Sequence, residues 1–324
     1  MARFCLFATL LLLPIAAHAR AQDQSKSPSP ELNGQLLFHR YTSYESWNGK
    51  LYVYDFAAKS LTCLSDPWPI EHAMNANFSP DGKRIVSMAV PRGKHQGNAW
   101  DVYLWDVASA KHPTNLTKDN GLRDEDPKFS PDGKIIVFKQ DGVVKFMDLR
   151  GKNVRILPGQ RPGAEYSMPM FTADGKRVVV LQGARENGDL YAIDPRARSK
   201  TTTAVAIAVT PGLLEYYPVT WDANRLLYVR WHTALTRHDQ IYRYLWKERT
   251  SEPLPFCKPT ADYSDPWPID DRWLFLSSTQ KGGNGGYDLY LGDSRTTRVV
   301  PITVPGINTS VEELGACYRP RPAK

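Results

Sequence analysis

The sequence predicts an all-β fold, a six-bladed β-propeller of four-stranded blades. Three observations support this prediction. A tight-turn motif recurs along the chain, a strand motif recurs at a similar spacing, and the two ends of the chain carry complementary parts of one blade. Recurrence of one supersecondary unit roughly every 40 to 50 residues is typical of propellers, in which each repeat forms one blade.

The turn motif is Phe-Ser-Pro-Asp-Gly-Lys at residues 78–83 and 129–134, and Phe-Thr-Ala-Asp-Gly-Lys at 171–176. Proline presets the first central position of a turn, aspartate bonds its own backbone, and glycine takes the position with positive φ. β-branched residues follow each motif and favour a buried strand. Each motif is therefore predicted to join strand A, the innermost of a blade, to strand B. In blade 5 the turn is at 221–225, and Asn224 is expected to replace the left-handed glycine.

The strand motif alternates in polarity and ends in aspartate at residues 101–106, 189–194 and 288–293, as expected for strand C followed by a turn. With this template, blades 2, 3 and 4 are predicted at about residues 75–118, 126–158 and 168–210. Blades 5 and 6 are predicted to start near residues 218 and 265.

The two ends of the chain complete each other. Residues 35–38, 50–55 and 60–64 are predicted as strands B, C and D of blade 1, with no strand A before them. Residues 313–320 have the pattern of a strand A that enters its turn. We expect this C-terminal strand to complete blade 1, which closes the ring and leaves no open sheet edge. Residues 33–324 are thus predicted to form a single propeller.

The N-terminus has the pattern of a secretory signal peptide over residues 1–21. Arg3 precedes an apolar run at 4–17 and a small-x-small cleavage pattern, and the run is short for a membrane span. Residues 22–32 are rich in Ser, Pro, Gln and Lys and are predicted to be a disordered lead-in. We expect an exported protein, periplasmic in a cell with two membranes, monomeric and without a transmembrane segment after signal cleavage.

Charge and cysteine content narrow the function classes. The formal charge of +7 is scattered without a basic run, so no nucleic-acid partner is predicted. Besides Cys5 in the signal, the cysteines are Cys63, Cys257 and Cys317, and their spacing fits no metal site. They are predicted to be buried small apolar residues, although an exported protein could oxidise one pair.

The turn motif, the strand-C motif and the split first blade resemble the TolB-like propellers, also called WD40-like or PD40 repeats. The resemblance covers nearly all of the chain after the signal and implies a six-bladed propeller. In that family such repeats occur in a periplasmic envelope protein that binds other proteins, in serine peptidases and in polysaccharide lyases. TolB also has an N-terminal α/β domain, which the roughly ten residues after the signal are too short to form. No G-x-S-x-G nucleophile motif is present, which argues against a peptidase.

The D–A and B–C loops share one end of the propeller, which we call the long-loop face, and the short A–B and C–D turns share the other. Variable loops on a rigid scaffold tend to carry function. A ligand site is therefore expected on the long-loop face, between blades 5, 6, 1 and 2. The candidate ligand-binding residues are His39, Tyr44, Trp47, Trp68, His72, Arg92, His95, Trp231, His232, Arg237 and His238.

Each of these candidates also has a structural explanation. The tryptophans could pack between blades, and the histidines could lie in solvated loops. Aromatic faces beside charged groups suit sugars or extended peptides. Acidic residues also recur shortly before each predicted strand A: Glu71, Asp124, Glu165, Glu215, Asp262 and Glu313. They are expected either to anchor loops through backbone N–H groups or to form a ring that binds a cation or a basic partner.

Two functions follow as hypotheses. The first is a non-enzymatic propeller that binds an envelope protein or a polysaccharide, favoured because no catalytic constellation is visible. The second is a lyase that cleaves uronic-acid glycans by β-elimination, which needs a base and a group that neutralises the substrate carboxylate. Candidate bases are His39, Tyr44, His72, His95 and His232, and candidate neutralisers are Arg92 and Arg237. No H-x-H or H-E-x-x-H spacing predicts a metal site, and the sequence leaves the question of a cofactor open.

Overall fold

The computed structural model describes residues 29–94, 99–109, 112–183, 186–197 and 204–321. It contains six four-stranded antiparallel sheets arranged in a ring, which confirms the predicted six-bladed propeller. The predicted signal peptide and the candidate residue His95 lie outside the described residues. Among the described residues, no helix is long and apolar enough to cross a membrane.

The strands follow the predicted meander from the axis outward. Blade 1 contains β1 (Gln35–Tyr41), β2 (Lys50–Asp55) and β3 (Ser60–Cys63). Blade 2 contains β4 (Ile70–Phe78), β5 (Arg84–Pro91), β6 (Asp101–Asp106) and β7 (Thr114–Asn115). Blade 3 contains β8 (Asp124–Phe129), β9 (Ile135–Gln140), β10 (Val143–Asp148) and β11 (Arg155–Ile156). Blade 4 contains β12 (Tyr166–Phe171), β13 (Val178–Gln182), β14 (Asp189–Ile193) and β15 (Val205–Ala208).

Blade 5 contains β16 (Glu215–Thr220), β17 (Arg225–Trp231), β18 (Asp239–Leu245) and β19 (Thr250–Pro253). Blade 6 contains β20 (Tyr263–Pro268), β21 (Trp273–Ser278), β22 (Asp288–Asp293) and β23 (Val299–Pro301), and β24 (Glu312–Arg319) follows it. A short 3-10 helix, Tyr44–Ser46, lies in the loop between β1 and β2.

The C-terminal strand closes the ring as predicted. β24 pairs antiparallel with β1, with Leu36 opposite Tyr318 and His39 opposite Leu314. The Tyr318 hydroxyl accepts a hydrogen bond from the Gly34 backbone N–H at 3.1 Å. The two chain ends therefore hold each other through both sheet pairing and a side-chain contact.

The repeated turn has the geometry that its sequence predicts. Gly82, with φ of 67°, takes the left-handed position. The Ser79 hydroxyl donates to the Asp81 carboxylate at 2.6 Å, and this carboxylate accepts from the Lys83 N–H at 3.0 Å. The prediction for Asn224 is wrong, because Asn224 has no positive φ. There the carboxylate of Asp222 accepts from the N–H of Asn224 and from that of the next residue, both at 2.8 Å, and closes the turn without a left-handed residue.

The inner strands of blades 2 to 6 all begin two to five residues before their predicted starts. The blade 2 inner strand starts at Ile70, so His72 lies in a strand and not in a loop. The sequence pattern missed these starts because each inner strand contains a β-bulge, which interrupts the alternation of side chains. One residue of each bulge has a positive φ: Asn75, Asp126, Met168, Tyr217, Asp265 and Gly315.

The apolar core lies between neighbouring blades. Leu36 and Phe38 of blade 1 pack with Phe275 and Leu289 of blade 6 in one cluster, and Leu32 from the described part of the predicted lead-in packs against it. Cys63, Cys257 and Cys317 are free, and Cys317 is buried. Burial between blades is thus repeated around the ring and fixes the inner strands that surround the channel.

Candidate functional site

A cavity of about 650 Å³ opens at the long-loop end of the channel, and we call it the mouth cavity. Tyr44 from the blade 1 loop, Arg123 at the start of blade 3, Gly183 in the B–C loop of blade 4 and Leu214 before blade 5 line it. The mouth cavity is therefore on the predicted face, but it lies over blades 1 to 5 and not between blades 5, 6, 1 and 2.

Five aliphatic side chains line the mouth cavity. They are Met74 and Met88 of blade 2, Met168 and Leu181 of blade 4, and Leu214 before blade 5. Methionine is unbranched and polarisable, so a methionine-rich lining can adapt to apolar side chains of different shapes. This lining favours a ligand with an exposed apolar group.

Blade 3, which lies between blades 2 and 4 in the ring, supplies a charge network centred on Glu125. Arg123 Nη2 is 2.6 Å from Glu125 Oε1, and Lys139 Nζ is 3.0 Å from Glu125 Oε2 and 3.4 Å from Glu165. Burial opposes ionisation of Glu125, but the two cations hold the pKa of its carboxyl below the usual value. The network offers both positive and negative charge to a ligand in the mouth cavity.

The floor of the mouth cavity is built from the bulge residues. Asn75 Nδ2 donates to Asp126 Oδ1 at 3.0 Å, and the Met168 N–H donates to Asp126 Oδ2 at 3.3 Å. Burial, reinforced by the charge of Glu125, raises the pKa of Asp126. The bulges therefore turn three neighbouring inner strands towards one polar floor.

Tyr44 is the sequence-predicted site residue that lines the mouth cavity. Arg123 Nη2 donates to its hydroxyl at 3.4 Å. The rim of the mouth cavity therefore carries a hydrogen-bonding phenol next to the positive charge of a guanidinium.

Four other candidates are packing residues. Trp68 is 3% exposed and packs on Trp105, and Trp47 packs on His72 at 5.5 Å between ring centroids. His39 is also 3% exposed, and burial lowers its pKa to about 3. His72 is fully buried, its Nδ1 accepts from the Gly49 N–H at 2.6 Å, and burial lowers its pKa to about 4. His39 and His72 are thus neutral groups in the core, and the explanation that they lie in solvated loops is wrong.

The remaining described candidates lie near the surface. Arg92 donates to the Trp68 carbonyl at 3.2 Å. The guanidinium of Arg237 lies 4.8 Å from the centre of the Trp231 ring, and the His232 N–H donates to the His238 carbonyl at 2.7 Å. These four residues of blade 5 form what we call the blade 5 loop patch. The Trp231 N–H donates to the carbonyl of Leu214, so the patch adjoins the mouth cavity, and its contact with a ligand stays a prediction.

The six recurring acidic residues act as local anchors. Glu71 accepts from the Gly93 N–H at 3.0 Å, Asp262 from the Asp239 N–H at 2.9 Å, and Glu313 from Arg40 at 2.6 Å. Asp124, Glu165 and Glu215 likewise bond to nearby groups. Within the described ranges, no group of three or more His, Cys, Asp or Glu residues is arranged to hold a metal ion. These hydrogen bonds agree with the anchoring explanation, although Asp124 and Glu165 bond to side chains and not to backbone N–H groups.

Sequence reasoning missed most of the mouth cavity because it looked for long loops. Blade 3 has a minimal B–C turn between Gln140 and Val143, yet it supplies Glu125 and Lys139. A short turn leaves the end of the channel uncovered, so the cavity forms where the loops are short. The charged segment 123–126 directly before a turn motif was the available signal.

Comparison with known proteins supports the fold. No protein-family model matches the chain. The uncharacterized peptidase YuxL of Bacillus subtilis (strain 168) is 25% identical over 230 residues, which cover 68% of this chain and 31% of that protein. This chain thus spans less than a third of that curated relative.

Among solved structures, TolB from Acinetobacter baumannii superposes with a TM-score of 0.64 at 15% identity, over 90% of this chain and 68% of that one. An oligogalacturonate lyase in complex with manganese gives 0.53 at 15% identity, over 84% of this chain and 74% of that one. The TolB-like resemblance is thus confirmed at the level of the fold. At sequence identities this low, the similarity shows a shared fold and nothing more.

Proposed function

We propose that this chain is a non-enzymatic binding propeller of the cell envelope that takes an extended segment of a protein partner into its mouth cavity. The observation that carries this proposal is the presence of five aliphatic side chains and the Arg123–Glu125–Lys139 network in one cavity of about 650 Å³. Apolar pockets with a few fixed polar groups are typical of ligand sites.

A peptide fits these walls better than a glycan. Sugars favour flat aromatic faces, whereas Met74, Met88 and Met168 form a flexible aliphatic surface. An inserted apolar side chain would contact this surface, while charged side chains beside it would meet Arg123 and Glu125. The glycan partner of the sequence-based hypothesis is therefore the less favoured occupant.

Export is part of the proposal and is supported by the sequence of residues 1–21. N-terminal sequencing of the protein purified from its native host should give a start directly after residue 19 or residue 21. A start at Met1 would contradict export without affecting the binding proposal.

The binding proposal is tested with a heptapeptide phage library selected on the purified propeller. Selected peptides, measured by fluorescence polarisation, should bind the wild type and lose affinity for Leu214→Trp, which fills the rim of the mouth cavity. Leu235→Trp is the matched control, because Leu235 is 95% exposed in the blade 5 loop and does not line the cavity. Equal binding to all three proteins would refute the mouth cavity as the site.

A lyase is the second candidate, favoured by the contact between Tyr44 and Arg123. A tyrosine could remove the proton next to a uronic-acid carboxylate while a guanidinium neutralises that carboxylate. The described residues offer no donor cluster for a metal such as manganese, so no metal-dependent step is proposed. Incubation with polygalacturonate and alginate, followed by absorbance of the unsaturated product, tests this activity. A signal that Tyr44→Phe abolishes would support it, and no signal with either polymer would refute it.

A further inference from the structure

A second cavity, of about 290 Å³, lies at the other end of the channel, and we call it the turn-face cavity. The phenylalanines that open the repeated turn motifs line it, among them Phe129 and Phe171. The exposed residues Pro80, Pro131 and Ala173 form its rim. The motif that builds the fold therefore also builds an apolar chamber on the face opposite to the mouth cavity.

The base of the turn-face cavity contains a lysine without a partner. Lys128 is 9% exposed, and its ammonium group makes no hydrogen bond or ion pair with any residue in the described ranges. Its ammonium group lies 6.0 Å from the centre of the Tyr217 ring. Lys128 also borders a small space shared with Asp126, so it separates the two cavities.

The other polar groups around this cavity are already engaged. The hydroxyl of Ser130 donates to Asp132 at 2.6 Å, and the hydroxyl of Thr220 donates to the Phe171 carbonyl at 2.5 Å. The guanidinium of Arg319 donates to the Gly82 carbonyl and to the side chain of Gln35. Unlike these groups, the ammonium of Lys128 has no acceptor within hydrogen-bond distance among the described residues.

We propose that the turn-face cavity binds a small monocarboxylate with an aromatic or branched apolar body. The carboxylate pairs with the Lys128 ammonium, because a buried charge is costly without a partner. The apolar body packs between Phe129, Phe171 and Trp267. The volume limits the ligand to a small molecule. This site is separate from the mouth cavity and does not depend on the proposed function.

The charges behind Lys128 favour a monoanion. Asp126 and Asp265 lie close enough for their charges to interact with that of Lys128, although neither forms an ion pair with it. They compensate part of its charge, and the guanidinium of Arg319 already donates to Gly82 and Gln35, so a dianion such as a phosphate monoester would meet too little free positive charge. A single carboxylate matches the single ammonium.

N-acetyl-L-phenylalanine is the test ligand, and its primary amide is the matched neutral control. Isothermal titration should show binding of the acid, with the amide about tenfold weaker or worse, the usual scale for loss of a charge-assisted hydrogen bond. Lys128→Met should reduce the affinity for the acid to that for the amide. Equal affinity of acid and amide, tighter binding of phenyl phosphate, or no binding of the acid at millimolar concentration would each overturn the proposal.

A second pair of variants leaves Lys128 untouched, in case Lys128→Met fails to fold. Ala173→Trp places a large side chain at the rim of the turn-face cavity and should abolish binding of the acid. Ala223→Trp is its control, because Ala223 is an exposed alanine in the equivalent turn of blade 5 and does not line this cavity. Unchanged binding to Ala173→Trp would also overturn the proposal.

Discussion

The side-chain amide of Asn75 donates a 3.0 Å hydrogen bond to the carboxylate of Asp126, and so joins the inner strands of blades 2 and 3. Both residues occupy the left-handed bulge position of their strands, with φ of 51° and 52°. Non-glycine residues in this conformation store strain that the surrounding structure must offset. The recurrence of the bulge in every blade shows that the strained position is part of the channel architecture.

Gly315 occupies this bulge position in blade 1, and Gly315→Ala should destabilise the protein. Its φ is 67°, and an added Cβ would lie 2.4 Å from Nδ1 of the buried His39. The left-handed backbone costs about 1–2 kcal/mol for a residue with a Cβ, and overpacking typically adds about 1–3 kcal/mol. Urea denaturation should therefore give a clear loss in the free energy of unfolding.

Gly212→Ala separates the two contributions, because Gly212 has φ of 77° and nothing within 4 Å of an added Cβ. It should lose only the backbone part. If both variants lost the same stability, contact with His39 would not be the reason that blade 1 has glycine at this position.

Removal of β24 should open the ring. A chain that ends at residue 311 lacks the inner strand of blade 1, including the buried residues Leu314, Cys317 and Tyr318. Their burial is worth several kcal/mol, which corresponds to a fall in melting temperature of roughly 10 °C or more. A chain that ends at Pro320 is the control, because it loses an exposed ion pair between Arg321 and Asp55 worth about 0–1 kcal/mol. Equal melting of both truncations would contradict the closure.

The sequence was sufficient for blade count, strand order and ring closure because turns and outer strands carry local signals. Gly82 and Asp81 act within one turn, and the alternation at Asp101–Asp106 depends only on strand geometry. The starts of the inner strands could not be predicted, because the bulges at Asn75 and Asp126 break the alternation and their polar side chains resemble those of loops.

The residues of the site were harder to predict from the sequence than the fold, because the position of the cavity depends on which loops leave the end of the channel uncovered. His39 and His72 have the chemistry of ligand-binding residues, but the packing of β24 and β4 against β1 and β2 buries them. Lys128 has an unremarkable sequence context, and only the ring places its ammonium in a chamber without a partner. Which polar groups of this channel are left without a partner is therefore decided by the tertiary structure and is not visible in the sequence.

Asp239→Asn should change how stability depends on pH. Burial raises the pKa of Asp239 to about 7, against the hydrogen bonds donated by Tyr216 and Tyr287. Since the folded pKa exceeds the unfolded value of 3.8, the stability that protonated Asp239 contributes is full below pH 3.8 and is lost as the pH rises through about 7. An asparagine is neutral throughout, so the variant should gain stability relative to the wild type as the pH rises.

The measurement is urea denaturation at several pH values between about 4 and 7, where one proton contributes at most about 1.4 kcal/mol per pH unit. His39 and His72, whose pKa values are lowered, give the opposite trend as the pH falls, but they are present in both proteins and cancel in the difference. Asp66→Asn, at an exposed aspartate, is the control and should run parallel to the wild type. A parallel curve for Asp239→Asn would contradict this account.

The blade 5 loop patch should contribute to peptide binding without supporting the fold. Trp231 is only partly buried and His232 is exposed, and the backbone of Trp231 bonds to Leu214 at the edge of the mouth cavity. The double variant Trp231→Ala/His232→Ala should therefore weaken binding of phage-selected peptides about tenfold, the scale of one lost aromatic contact, and leave the melting temperature nearly unchanged. The double variant Trp47→Ala/His39→Ala should instead lower the melting temperature, because Trp47 packs on His72 and His39 is buried. If the blade 5 variant kept full affinity while Leu214→Trp still bound weakly, the peptide would bind in the mouth cavity without contacting the blade 5 loop patch.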